Sequence, residues 1–149
     1  MSEKSDALCD LHPLGPQPSL GRRIVAIMLG HPTPILRSFD EKRTKDFYLG
    51  FLGFELVFEH RFEEWAPLYM AVKKGDCLLH LSEHYGDGCP GAALRIPVDD
   101  VKSYMAELRS KEFGNSRPGE PQLQPWASWE ITIADPASNR LTFYTEDKA

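Results

Sequence analysis

His80, Ser82, Glu83 and His84 fall within five consecutive positions, where an alternating run from Leu78 to Glu83 passes into a turn. A serine two residues from a histidine on a strand shares its face, the raw material of a nucleophile with its base. A triad also needs a third group placed in space to orient the imidazole, and local spacing does not supply one. His80, Glu83 and His84 could instead hold a divalent ion as a nonstandard ligand set. Arg37, Arg95 and Arg140 are candidate clamps for a carboxylate or phosphate, because a guanidinium presents a planar fork of donors. Tyr69, Tyr144, Trp126 and Trp129 offer flat surfaces with a polar edge. Gly86-Asp87-Gly88 is turn chemistry rather than a phosphate cradle, since no helix start follows it.

These residues need elements to position them. Ile35–Phe39 reads as a strand, and Asp40 can cap a helix by accepting from its orphan amides. Phe47 with Phe51, and Tyr48 with Leu52, then share a face at i, i+4 spacing, and Gly53 stops the helix. Phe54–Glu59 and Leu68–Val72 are strands, and Lys73-Lys74-Gly75-Asp76 turns into the strand Cys77–Glu83. Residues 84–91 are a linker rich in turn formers. Leu94, Ile96 and Val98 then alternate as a strand, Asp99 caps, and Val101, Met105 and Leu108 make a helical stripe. The three prolines of the 114–125 stretch confine any strand there to an edge. Trp129–Ala134 and Arg140–Thr145 are strands around the turn Asp135-Pro136-Ala137-Ser138-Asn139.

The second half therefore repeats the first. Ser38-Phe39-Asp40 returns 59 residues later as Pro97-Val98-Asp99, and the closing strands are offset by 62. The fold class is α+β, two tandem β-α-β-β-β modules, about 32–84 and 92–146. Residues 1–30 form a flexible extension carrying Pro13, Pro16 and Pro18, with Ile24–Leu29 as a possible edge strand. The domain proper is 31–149.

Composition narrows the partners. With 42% hydrophobic and 26% charged residues, 149 residues suffice for one domain with a core. The extension holds three basic and three acidic residues, so the net charge of −5 sits wholly on the rest of the chain. A pI near 5.5 argues against a duplex nucleic acid partner. Cys9, Cys77 and Cys89 form neither a Cys-x-x-Cys pair nor an even disulfide framework, and read as reduced thiols. The longest apolar run, Ile24–Leu29, is six residues, too short for a membrane span or a signal-peptide core despite Arg22-Arg23 before it. A cytoplasmic protein without a membrane partner is expected.

The two modules, the Asp-Pro turn and the closing strand Arg140-Leu141-Thr142-Phe143-Tyr144-Thr145-Glu146 together resemble the glyoxalase, bleomycin-resistance and extradiol-dioxygenase superfamily over residues 32–146. The resemblance implies a cupped mixed sheet and, in metal-dependent members, four ligands from the first and last strands of each module. Those positions map to Thr33, His80, Ala93 and Thr142. One imidazole among four does not hold a divalent ion, since a catalytic site needs about three protein ligands. His12, His31, His60 and His84 do not map to the site. No metal and no cofactor are expected.

By the parity of those ligand positions, the resemblance implies that Ile35, Arg37, Leu78, His80, Ser82, Arg95, Arg140, Thr142 and Tyr144 line the cup, with Tyr69 and Thr132 from the middle strands. Three arginines beside His80 would suit an oxygen-rich planar molecule. Trp126 and Trp129 sit where drug-binding relatives stack an aromatic on ligand rings. The expected function is metal-independent small-molecule binding, as in the antibiotic-sequestering bleomycin-resistance branch, by a cytoplasmic homodimer. The alternative is a lyase or isomerase of the same fold, with His80 as acid or base and the arginines as clamps.

Overall fold

The computed structural model describes residues 26–114 and 117–148. Of the extension expected over residues 1–30, residues 1–25, with Cys9 and His12, lie outside them. Residues 26–31 belong to a separate unit from Pro32 onward. They are exposed and form no strand, so the possible edge strand at Ile24–Leu29 is absent from its described part.

From Pro32 onward the chain builds two four-stranded sheets. The first contains β1 (Ile35–Arg37), β2 (Glu55–His60), β3 (Tyr69–Lys74) and β4 (Cys77–Ser82), in the order β1-β4-β3-β2. The second contains β5 (Ala93–Pro97), β6 (Gln122–Gln124), β7 (Ser128–Ala134) and β8 (Arg140–Glu146), in the order β5-β8-β7-β6. Each sheet has one parallel pair, β1 with β4 and β5 with β8, and is otherwise antiparallel. The duplicated β-α-β-β-β arrangement is thus present in both halves.

Local chemistry explains each helix. Asp40 caps α1 (Glu41–Lys45), its carboxylate accepting from the Arg43 amide at 2.7 Å. The chain then widens into a π-helical turn, α2 (Asp46–Phe51), whose i→i+5 bond runs from the Leu52 amide to the Phe47 carbonyl at 2.9 Å. Phe47, Tyr48, Phe51 and Leu52 are all buried, as their spacing predicts. Gly53, at φ 78°, ends the helix in the left-handed conformation that a Cβ disfavours, and the Phe54 amide reaches back to the Tyr48 carbonyl.

The cap of α3 (Val101–Ser110) corrects the sequence reading. Asp100, not Asp99, is the cap: its Oδ1 accepts from the Lys102 and Ser103 amides at 3.0 and 3.1 Å. Either aspartate has the right chemistry, and the choice falls to the one whose backbone is still extended, at φ −144°, when the helix begins. Cap to cap, from Asp40 to Asp100, the repeat is therefore 60 residues.

The core lies on the helix-covered faces of the sheets. Leu36, Met70, Val72, Leu79 and Leu81 from the first sheet join Ile96, Ile133, Leu141 and Phe143 from the second, with Val101, Tyr104, Met105 and Leu108 of α3. Burying these side chains leaves the opposite face of each sheet open.

The linker between modules folds back onto β1. Pro34 and Ser38 bond β4 through their backbones, so by alternation the backbone groups of Ile35 and Arg37 face outward at the sheet edge. Gly88 sits on that edge. A Cβ there would lie 3.2 Å from the Ile35 carbonyl oxygen and 3.3 Å from the Arg37 nitrogen.

Candidate functional site

Strand register places two groups of side chains on the open faces. On the first sheet, Ile35, His80 and Ala71 are cross-strand partners, as are Arg37, Ser82 and Tyr69. Phe58 joins them through a bulge. Leu56 pairs with Val72 and Phe58 with Ala71, so Val57 is the extra residue, and Phe58 moves from the core face to the open one. The Phe58 and Tyr69 rings lie nearly parallel, 6.3 Å apart at 11°. The His80 ring stands nearly perpendicular to both, at 81° and 84°. Tyr69 Oη is 2.6 Å from His80 Nδ1. Burial and then the nearby Asp87 carboxylate raise the Tyr69 hydroxyl above its ordinary pKa, so the phenol keeps its proton.

Ser82 is brought to this face but is fully buried, and its hydroxyl is committed. It donates to Asp87 at 2.6 Å and accepts from the His84 amide at 3.1 Å. It is therefore a loop fastener, which corrects its assignment as a ligand contact. Arg37 likewise donates to the His84 carbonyl and lies over the Phe39 ring. Both residues hold the linker in place.

On the second sheet, Arg95 and Thr142 are cross-strand partners, as are Glu130 and Tyr144, and Thr132 and Thr142. Arg95 grips Glu130 with both guanidinium nitrogens, at 2.5 and 3.1 Å, and lies 4.6 Å over the Tyr144 ring. The Trp126 indole donates to the same carboxylate at 2.7 Å while 62% of the residue stays exposed. Glu130 is only 8% exposed, and the Arg95 hydrogen bond holds its pKa down at about 2. Four planar groups are thus linked in succession by contact, Tyr144, Arg95, Glu130 and Trp126. The Thr132 and Thr142 hydroxyls bond each other at 2.7 Å. Arg140 lies exposed on the same face, two residues from Thr142 on β8.

One sequence expectation fails here. Trp129 takes the other face: alternation pairs it with Ile131 and Ile133, it packs against the core, and the Lys102 ammonium sits 3.4 Å over its ring. The three arginines are divided between the sheets: Arg37 and His80 belong to one, Arg95 and Arg140 to the other. Among the described residues no strand pairs across the sheets and no side-chain hydrogen bond joins the two open-face groups. Arg95 is neutralised by Glu130 besides.

Glu130, Phe58 and Asp87 join the site beyond the candidates that the sequence offers. Glu130 had a readable signal, a charge alternating with Thr132 in an otherwise apolar strand. Phe58 had none, because the bulge that turns it outward leaves no mark on its neighbours' types. Asp87 reads from the sequence only as a turn former.

The four positions that the resemblance maps to metal ligands, Thr33, His80, Ala93 and Thr142, include one imidazole, whose Nδ1 lies 2.6 Å from Tyr69 Oη. These residues do not fit a divalent ion. Among the described residues no three His, Cys, Asp or Glu side chains gather to hold one, and no helix is long and apolar enough to cross a membrane.

The sequence model of a family described as "Glyoxalase superfamily protein" matches residues 21–149. No curated protein matches the sequence. Among solved structures, a bleomycin-binding protein from bleomycin-producing Streptomyces verticillus, complexed with copper(II)-bleomycin, superposes with a TM-score of 0.61 at 24% identity, covering 79% of this chain and 97% of its own. A bleomycin resistance determinant encoded on transposon Tn5 gives 0.60 at 24%, covering 80% and 99%. An antibiotic-binding protein from a Streptomyces species gives 0.60 at 21%, covering 81% and 99%. At these identities the likeness is one of fold.

Proposed function

The chain belongs to the glyoxalase superfamily, and from that premise we propose that it is a metal-independent small-molecule binding protein of the antibiotic-sequestering kind. One observation carries the reading. Where a metalloenzyme would need imidazoles and carboxylates, both open faces carry partly exposed planar groups in fixed orientations: Phe58, Tyr69 and His80 on one, Trp126 and the Arg95–Tyr144 stack on the other. Rings held in place cost little entropy on stacking against a flat ligand. The binding surface comprises Tyr69, His80, Arg95, Trp126, Arg140, Thr142 and Tyr144. With Arg95 already paired, it suits a neutral or zwitterionic planar molecule better than a bare oxyanion.

The reading includes a homodimer. Among the described residues no strand pairing and no side-chain hydrogen bond links the two open faces within one chain, and a second copy would set the first face of one chain against the second face of the other. Exposed Ile35 and Leu123 would be covered in such an arrangement.

The test is a titration of the protein with bleomycin and with planar aromatic antibiotics, following tryptophan emission and melting temperature. A saturable quench that disappears in Trp126→Phe, with an upward thermal shift, is expected. A flat response in both measurements across the whole series defeats the proposal.

A further inference from the structure

The open face of the first sheet carries a hydrogen bond whose direction decides what the site can recognise. Tyr69 Oη and His80 Nδ1 are 2.6 Å apart, and either could in principle donate. Suppose His80 carried its proton on Nδ1 and gave it to the phenol oxygen. The phenol proton would then need an acceptor of its own, and among the described residues Tyr69 Oη has no second hydrogen-bond partner. Suppose instead that Tyr69 donates to Nδ1. The phenol is then satisfied, and the imidazole proton resides on Nε2, which has no protein partner among the described residues. Each arrangement leaves one donor to solvent or ligand, but a phenol is a stronger acid than a neutral imidazole N–H and an imidazole nitrogen a stronger base than a phenol oxygen, so the bond donated by Tyr69 is the stronger of the two.

We propose that Tyr69 fixes His80 as the Nε2–H tautomer, so that this face offers its ligand a hydrogen-bond donor beside the Phe58 ring. The ligand class follows: a planar molecule bearing an acceptor on its edge, a carbonyl, a carboxamide or a heteroaromatic nitrogen. Phe58, 43% exposed and perpendicular to the imidazole, supplies the flat surface. Stacking holds the ring while the Nε2–H selects the acceptor. In its ground state this histidine is a donor, not the proton-abstracting base of the alternative enzymatic reading. Tyr69 is a specificity-determining residue acting through His80. The inference rests on the binding function proposed above and narrows it.

Two measurements test it, neither requiring the natural ligand. Long-range proton–nitrogen NMR of the ¹⁵N-histidine-labelled protein reads the tautomer directly. The expected spectrum shows His80 with a pyrrole-type Nε2 and a pyridine-type Nδ1, becoming a mixture in Tyr69→Phe. A protonated Nδ1 in the wild type overturns the proposal. The second measurement compares quinoline, flat with an acceptor, and naphthalene, flat without one, by their effects on the His80 and Phe58 resonances. Quinoline should bind at least fivefold more tightly to the wild type, on the order of one net hydrogen bond, and Tyr69→Phe should erase most of the difference. Equal affinity for both probes, or no binding of either, overturns the ligand class. The bleomycin titration reads Trp126 on the other sheet, so it can fail or succeed separately.

Discussion

Glu130 shows what one side chain settles. It accepts from Arg95 twice and from Trp126 once, and so couples charge to the orientation of an exposed indole. Its pKa is depressed, so its contribution to stability is present above the ordinary carboxylate value of 4.5 and is lost as pH falls towards about 2. Arg95 is half exposed, so solvent screening limits the effect to on the order of 1 kcal/mol. Denaturant unfolding between pH 5 and roughly pH 2 should therefore show a loss in the wild type that Glu130→Gln lacks. Parallel curves for the two proteins would mean that the ion pair adds nothing. Glu130 was accessible to sequence reasoning in principle, as a charge at an even position of an apolar strand. Trp129 is the more conspicuous residue of the same strand, but alternation sends it to the core.

At the scale of elements, periodicity disclosed nearly everything regular. Strand and helix positions agree with their hydrophobic spacing, and the π-helical turn still buries the four residues that an α-helix would have buried. Irregularities were the hidden part. The bulge at Val57 reverses the facing of Phe58, and the cap at Asp100 displaces the repeat by one residue, because backbone conformation rather than side-chain type chose between two aspartates. The β6–β7 turn is a third irregularity. The Ala127 amide bonds the Gln124 carbonyl at 3.0 Å, and Ala127 takes φ 56°, a position that favours glycine in a three-residue hairpin loop. This strained residue adjoins Trp126. Ala127→Gly should raise stability by roughly 0.5–1 kcal/mol, relief of the left-handed alanine outweighing the added chain entropy. Ala127→Val should lower it. The shift in urea midpoint measures both, and the opposite order would show that the turn is unstrained.

At the scale of the whole domain, the two modules are joined by a buried polar knot. Tyr48 of the first module donates to Asp135 of the second at 2.7 Å, and the same carboxylate accepts from the Ala137 and Asn139 amides. The Asn139 side chain bonds both Asp135 and the Arg37 carbonyl, each at 2.8 Å, so the Asp-Pro turn also grips β1. Burial and then the Asp135 charge push the Tyr48 hydroxyl well above its usual pKa. Tyr48→Phe should lose about 2 kcal/mol, since a buried carboxylate loses a donor, seen as a lower melting temperature with helix content intact. An unchanged melting temperature would show that the modules hold together by apolar contacts alone. The linker adds a different kind of protection. Because Gly88 lies against the outward backbone of β1, the segment joining the two copies also shields an edge strand from stray pairing. A circularly permuted chain opened within residues 84–91 would keep every core contact yet free that edge, so solubility rather than folding would be its weakness. The duplication thus brought with it a guard against aggregation that neither copy alone would possess.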